Sequence, residues 1–176
     1  MKSEIKTAVE NKMRQIKIVK VVLSAGATGT DLEKAAKLLE LISGKKAQII
    51  KSGPKRRIPA FNVKPNMPLG TSVTIRGKSA NEILKKTLGG ISNTLDDDQV
   101  AKNGFSFGIK EYIEMPGMEY QREIGIRGFN VTVVFERAGA RVKKKKIKRG
   151  KCPIRQQVQK EEIIKFMEEN FQTKFL

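Results

Sequence analysis

The chain has 176 residues, the length of one ordinary domain, and 39% of them are apolar, which is enough to form a core. Lys and Arg number 36 against 18 Asp and Glu, with no histidine and a single cysteine, Cys152. These counts exclude imidazole catalysis and a zinc site of the usual nitrogen and sulfur ligands. The net charge of +18 far exceeds the magnitude of about 2 to 8 that solubility requires, so we expect a polyanionic partner.

Nucleic acid fits this partner better than a membrane. No run approaches the length of about 18 apolar residues that a membrane-spanning helix needs. The first residues, Met1 to Glu4, lead into mixed charge without the apolar core of a signal peptide. A lone cysteine suits a reducing compartment. We therefore expect a cytoplasmic protein with no membrane contact, metal or cofactor.

The first third of the chain predicts two strands that flank a helix. Residues 16–25 are rich in β-branched side chains and predict a strand. Thr30 and Glu33 have the spacing of a capping box, which predicts that a helix begins at Thr30. Gly44 is a typical stop signal for that helix. Residues 46–51 predict a short second strand.

The next segment predicts a loop, a strand and a second helix. Residues 51–70 contain four prolines among basic residues, which predicts a long, exposed, basic loop. Residues 71–77 alternate as a strand does. Ser79 and Glu82 form a second capping-box spacing, which predicts a helix that ends near Gly89.

The remaining elements complete an α+β fold. Strands are predicted over residues 105–112 and 129–137. Residues 137–160 hold eleven basic residues and no acid, so we expect an extended basic arm, because its charges repel one another. Residues 160–171 predict an amphipathic helix. The irregular mixture favours an antiparallel sheet with helices packed on one face, a long basic loop and a basic C-terminal arm.

We expect these elements to form a single domain in three parts. Residues 1–136 are the predicted nucleic-acid-binding α+β part, 137–160 the basic arm, and 161–176 the helical end. The charge is uneven along them: residues 45–86 hold eleven basic residues and one acid, whereas residues 90–136 hold four basic residues and eight acids. Two basic blocks around an acidic one predict nucleic-acid-facing surfaces and another surface turned elsewhere.

Two basic motifs are the main candidates for contact with nucleic acid. The lysine-rich run at residues 143–151 suits phosphate neutralisation with release of counterions. A localisation tag or a solvated tail is the alternative. Lys55 to Arg57, in the predicted loop, suit bidentate contacts with RNA phosphates, and an ordinary solvated loop is the alternative.

Three weaker motifs have structural explanations that we favour. The turn from Gly26 to Gly29 lies where backbone amides could meet a phosphate, but it lacks a nucleotide-binding signature and predicts a plain turn. Phe105 and Phe107 have the spacing of an aromatic RNA-binding strand, and we favour core positions. Asp96 to Asp98 could hold magnesium in an RNA-processing enzyme, and we favour a solvated acidic loop.

Several linked segments resemble the universal large-subunit ribosomal proteins that bind 5S rRNA, numbered five in bacteria and archaea and eleven in eukaryotes. The segments are Val21–Gly26, Leu38–Lys46, Ser72–Gly77, Phe105–Glu111 and Gly125–Gly128. They have the order and spacing of that family, and the likeness covers residues 13–171. Residues 135–139 and the basic arm behind them resemble the archaeal and eukaryotic branch.

The resemblance implies a structural protein, not an enzyme. It implies binding of 5S rRNA in the central protuberance, beside a neighbouring 5S-binding protein. The matching contact positions are Ser24, Lys45, Thr74 and Arg76. Thr74 and Arg76 match the family pattern, whereas Ser24 and Lys45 replace the usual asparagine and glutamine.

The resemblance also implies contacts beyond 5S rRNA. Lys55, Arg56 and Arg57 are the implied contacts with P-site tRNA, although Pro54 and Pro59 depart from the family pattern. The acidic middle region corresponds to a surface that meets a small-subunit head protein across the subunit interface. We expect the basic arm to bind the backbone of large-subunit rRNA. Its candidate residues are Arg141, Lys143, Lys144, Lys145, Lys146, Lys148, Arg149, Lys151 and Arg155.

We expect no homo-oligomer. Two alternatives remain open at the level of sequence. One is a general nucleic-acid-binding protein, for example of the chromatin type, and the other is an RNA-processing enzyme that uses the three aspartates and magnesium.

Overall fold

The structure is a computed structural model that describes residues 13–176. The N-terminal stretch at residues 1–4 therefore lies outside the described residues. The strands are β1 (Ile16–Gly26), β2 (Gln48–Lys51), β3 (Pro68–Ile75), β4 (Thr94–Leu95), β5 (Val100–Ala101), β6 (Gly104–Ile109), β7 (Phe129–Arg137) and β8 (Lys174–Phe175). The helices are α1 (Thr30–Ser43), α2 (Lys78–Gly89), α3 (Arg141–Lys144) and α4 (Lys160–Phe171).

Six of the strands form one sheet in the order β2-β3-β1-β7-β6-β5. Every neighbouring pair in this sheet is antiparallel. The short strands β4 and β8 make a separate parallel pair, which ties the end of the described chain to the segment after α2. The predicted α+β class with an antiparallel sheet is confirmed.

The core lies between one face of the sheet and the helices. Alternate residues of β1, such as Leu23, are fully buried and join one hydrophobic cluster with Leu38 of α1, Leu84 of α2 and Ile163 of α4. Each fully buried leucine or isoleucine side chain contributes about 1.5–3 kcal/mol relative to an exposed one. The helices therefore pack on a single face, as predicted.

The aromatic residues of β6 belong to this core. Phe105 and Phe107 are only 2% and 5% exposed. The ring of Phe105 stacks on that of Phe135 in β7, with centroids 5.8 Å apart. The prediction that these phenylalanines are core residues is confirmed, and an aromatic RNA-binding strand is not formed there.

Both predicted capping boxes are wrong. The residue before α1 is Gly29, with φ 63° and ψ −137°, and the residue before α2 is Gly77, with φ 76° and ψ −149°. Neither helix start has a side-chain cap. The chain leaves each strand through a backbone conformation that suits glycine, so Thr30 and Lys78 are already the first helical residues.

The strand boundaries differ from prediction by a few residues. β2 begins at Gln48 instead of residue 46, and β6 ends at Ile109 instead of residue 112. β3 begins at Pro68, three residues earlier than predicted. Proline is tolerated as the first residue of a strand because its missing N–H removes no ladder bond there. The basic loop is therefore confined to residues 52–67.

The basic arm is present but is not extended. It carries α3 and a 3-10 turn at Ile154–Gln156, and it returns to the domain at α4. The Nε2 of Gln156 donates to the carbonyl oxygen of Ala138 at 2.6 Å, and Val158 is fully buried. The prediction failed because it considered the lysine run without the anchoring residues that follow it.

The close approach of β6 to β7 at Gly104 gives a test of the sheet. A Cβ added at Gly104 would lie 2.5 Å from the carbonyl oxygen of Val133. We expect Gly104→Ala to lower the free energy of unfolding by about 1–3 kcal/mol, measured as a shift of the urea midpoint. Gly26→Ala is the control, because a Cβ there meets nothing within 4 Å. Equal stability of the two variants would contradict the described packing.

Candidate nucleic-acid interface

The sheet face opposite the helices carries small polar side chains and is called the open face here. The register places Ser72, Ser24 and Asn130 side by side on β3, β1 and β7. Thr74 and Thr132 lie in the next row, on either side of Val22. All of these side chains are exposed or half-buried. The open face therefore presents a flat array of hydroxyl and amide groups, which both donate and accept hydrogen bonds.

The structure gathers the four predicted 5S rRNA contacts around this face. Ser24 and Thr74 lie on it, in adjacent strands. Arg76 is the exposed residue directly after β3. Lys45 is exposed and follows α1 on the way to β2, and the pairing of Gln48 with Ser72 directs it toward the end of β3 where Arg76 lies.

The basic loop is fixed at its base and near its tip. The N–H of Ser52 donates to the carbonyl oxygen of Met67 at 2.8 Å, which closes the base. Ile58 and Val63 exchange two backbone hydrogen bonds of 3.0 Å each, which close the tip. The predicted contacts at residues 55–57 lie between these two points and are exposed.

Phe61 is a candidate residue that the sequence did not single out. It ends the 3-10 turn Pro59–Phe61 at the tip of the basic loop, and it is 78% exposed. A phenylalanine in a proline-rich loop, outside any alternating pattern, was the available signal. An exposed aromatic ring beside cations is a stacking surface for an unpaired base.

The acidic segment, residues 110–127, forms a separate surface. It is organised by the buried Tyr112, whose hydroxyl accepts a hydrogen bond from the N–H of Gln121 at 2.8 Å. An ion pair between Arg127 and Asp31 ties it to α1. It exposes the carboxylates of Glu111, Glu114, Glu119 and Glu123. Tyr120 and Ile126 are also exposed on it.

The basic arm presents its charge outward from a fixed base. All nine of its candidate RNA-binding residues are exposed. At its base, the guanidinium of Arg137 pairs with Glu162 of α4 and donates to the carbonyl oxygen of Arg155 at 3.1 Å. Glu162 also accepts the N–H of Gln159 at 3.1 Å, which caps α4.

These surfaces define a protein that binds a polyanion by its surface instead of enclosing a reacting substrate. Within residues 13–176, no group of acidic and cysteine side chains is placed to hold a metal ion. The three aspartates near residue 97 take part in local contacts, such as the ion pair between Asp97 and Lys160 at 3.3 Å. No helix in this range is long and apolar enough to cross a membrane.

Comparison with known proteins identifies the family. Residues 68–169 match the family model that describes the C-terminus of the ribosomal uL5 proteins. The chain is 40% identical over 164 residues to the large ribosomal subunit protein uL5 of Nanoarchaeum equitans, covering 92% of this chain and 96% of that protein. It is 38% identical over 162 residues to uL5 of Methanoregula boonei, covering 90% and 97%. The chain therefore belongs to the uL5 family of large-subunit ribosomal proteins.

This membership confirms several predictions. The family resemblance stands, and so does the archaeal character, since both relatives are archaeal. Members of the family are structural ribosomal proteins, so the prediction that the chain is not an enzyme is confirmed. The predicted location on the large subunit of the cytoplasmic ribosome follows from the same relatives.

The ion pair at the base of the basic arm gives a second test. The Arg137 side chain is only 14% exposed and its Nε has no hydrogen-bond partner, so loss of Glu162 leaves a largely buried charge without compensation. We expect Glu162→Gln to lower the free energy of unfolding by about 2 kcal/mol, measured by urea denaturation. Glu123→Gln breaks an exposed pair with Lys37 and should change stability by less than about 1 kcal/mol. Equal effects would show that the Arg137 pair has no structural weight.

Proposed function

We propose that the open face and the basic residues at its edge bind 5S rRNA in the central protuberance of the large subunit, beside a neighbouring 5S-binding protein. The observation that carries this proposal is the convergence of Ser24, Thr74, Arg76 and Lys45 around one region of the sheet. Family membership supports it, because the sequence resemblance implies these contacts. None of these residues has a core role that would account for it otherwise.

The chemistry of the open face suits recognition of RNA by shape. Hydroxyl and amide side chains can exchange hydrogen bonds with ribose 2′-hydroxyls and phosphate oxygens. Arg76 and Lys45 supply charge-assisted contacts with phosphates, which fix the orientation of the RNA. The open face has no exposed aromatic ring among the described residues of its strands, so stacking on splayed bases is not its mode of recognition.

The basic loop is proposed to contact P-site tRNA. Its two closures hold the loop in one conformation before binding, which reduces the entropy cost of association. Lys55, Arg56 and Arg57 would neutralise tRNA phosphates, and Phe61 would stack on an exposed base. This assignment extends the contacts that the sequence resemblance implies.

The two remaining surfaces are proposed to meet other ribosomal components. The basic arm would bind the backbone of large-subunit rRNA through its exposed cations. The acidic segment would meet a basic protein of the small-subunit head, because its carboxylates need a complementary partner. Tyr120 and Ile126 would form the apolar centre of that contact.

A titration against 5S rRNA, tRNA and duplex DNA across a salt series tests the 5S rRNA proposal. All three complexes should weaken as salt rises, because each releases counterions. Only 5S rRNA should remain tightly bound at about 0.2 M salt. Similar loss of all three would mean that the charge acts without specificity.

Arg76→Ala tests the edge of the open face. We expect it to weaken 5S rRNA binding about tenfold, because it removes a charge-assisted contact. Lys34→Ala is the matched control, since it removes one exposed charge from α1, on the helical side. Its effect should be small and the same for all nucleic acids. If the control weakens 5S rRNA binding as much as Arg76→Ala does, the open face is not the contact surface.

Phe61→Ala tests the tip of the basic loop in reconstituted large subunits. Loss of one stacking contact should raise the dissociation rate of P-site tRNA about tenfold, measured with labelled tRNA. Ile126→Ala is the control, because it removes an exposed apolar side chain from the acidic segment. An unchanged rate for Phe61→Ala would remove the ring from the proposed contact.

A further inference from the structure

A cavity of about 700 Å³ lies beneath the basic arm. Its floor is formed by the end of β7 and by Asn103, in the turn between β5 and β6. Its wall is formed by residues 143–146 and by Arg149, Cys152, Gln156 and Gln157. The arm therefore encloses a space instead of lying as a bare strand of charge.

The charges that line this cavity are unbalanced. Two of the lining cations are compensated, because Lys144 pairs with Glu136 and Arg137 pairs with Glu162. Four others form no ion pair within residues 13–176. They are Lys143, Lys145, Lys146 and Arg149. Like charges around a partly enclosed space repel one another, and a bound anion would relieve this repulsion.

The cavity keeps its shape through contacts that do not use the four unpaired ammonium and guanidinium charges against acids. The N–H of Val158 donates to Oδ1 of Asn103 at 2.9 Å, and Gln156 holds the carbonyl of Ala138. Within the wall, Nε of Arg149 donates to the carbonyl oxygen of Lys143 at 2.7 Å. A site that is formed before its ligand arrives binds at a lower entropy cost.

We propose that this cavity binds one unpaired nucleotide of an RNA strand. Its volume falls in the range of small-ligand pockets, about 300–1,000 Å³, so a nucleotide enters and a duplex does not. The phosphate meets the four uncompensated cations. The side-chain amides of Asn103 and Gln157 face the same space and offer donors and acceptors to a base. The inference rests on the proposed RNA-binding function and assigns one site within the arm.

The arm contains a matched set of cations outside the cavity. Lys148 and Lys151 belong to the same basic run and are exposed, but they do not line the space. Counterion release alone would make the inner and outer lysines equivalent. A nucleotide site would make Lys145 and Lys146 matter more.

Cys152 provides a direct reporter, because it is the single cysteine of the chain and it lines the cavity. The experiment measures the rate at which uncharged iodoacetamide alkylates its thiol in the full chain. The additions are short oligouridylate, RNA duplex and inorganic phosphate, each at matched salt. Oligouridylate at about ten times its dissociation constant should slow alkylation about tenfold, by mass action. Duplex and phosphate should leave the rate unchanged.

Two double variants complete the test. Lys145→Gln with Lys146→Gln should abolish the protection by oligouridylate, whereas Lys148→Gln with Lys151→Gln should retain it. Protection by phosphate alone would overturn the nucleotide assignment in favour of a simple anion site. Equal protection by duplex, or equal loss in both double variants, would overturn the cavity as the site.

A parallel titration with 5S rRNA separates this inference from the proposed function. If 5S rRNA binds specifically while oligouridylate fails to protect Cys152, the cavity inference fails and the proposed function stands. If oligouridylate protects Cys152 while 5S rRNA shows no preference over tRNA, the cavity inference stands and the 5S rRNA assignment fails.

Discussion

The alternation of side chains along the central strands determines both the core and the interface. In β1, Leu23 enters the core and Ser24 points to the open face, and their neighbours on β3 and β7 alternate in the same register. A slip by one residue would exchange the two faces. Close approaches fix the register, since a Cβ at Gly70 would lie 2.9 Å from the carbonyl oxygen of Ala25. The same register therefore buries the core and composes the RNA-facing array.

The fold tolerates its large positive charge because most of it lies in two excursions from the sheet. Neutral hydrogen bonds hold each excursion at its base: Ser52 in the basic loop and Gln156 in the basic arm. The cations are then free to stay in solvent, where their repulsion is screened. The cost of the charge is thereby separated from the packing of the core, and a polyanion can meet cations that are already in position.

The sequence was informative wherever a local pattern determines the structure. The alternation of Phe105 with its neighbours predicted its burial, because period-two patterning acts within one strand. The cap at Thr30 was wrong because the positive φ of Gly29 depends on how the chain leaves β1, which residue spacing does not encode. The return of the arm through Gln156 depends on contacts distant in sequence. Phe61 was missed because exposure at a loop tip is a property of the folded loop.

The sheet also separates the proposed contacts in space. Ile16 pairs with Arg137, so the basic arm leaves the sheet at the end where β1 begins, and the register of β3 places Arg76 toward the same end. Gly26 pairs with Gly70 at the opposite end, which is where the basic loop and the acidic segment emerge. An eleven-residue strand spans about 30 Å. Stable contacts with rRNA and exchangeable contacts with tRNA and the small subunit are therefore assigned to opposite ends of one rigid sheet, so tRNA can leave without loosening the protein from its RNA.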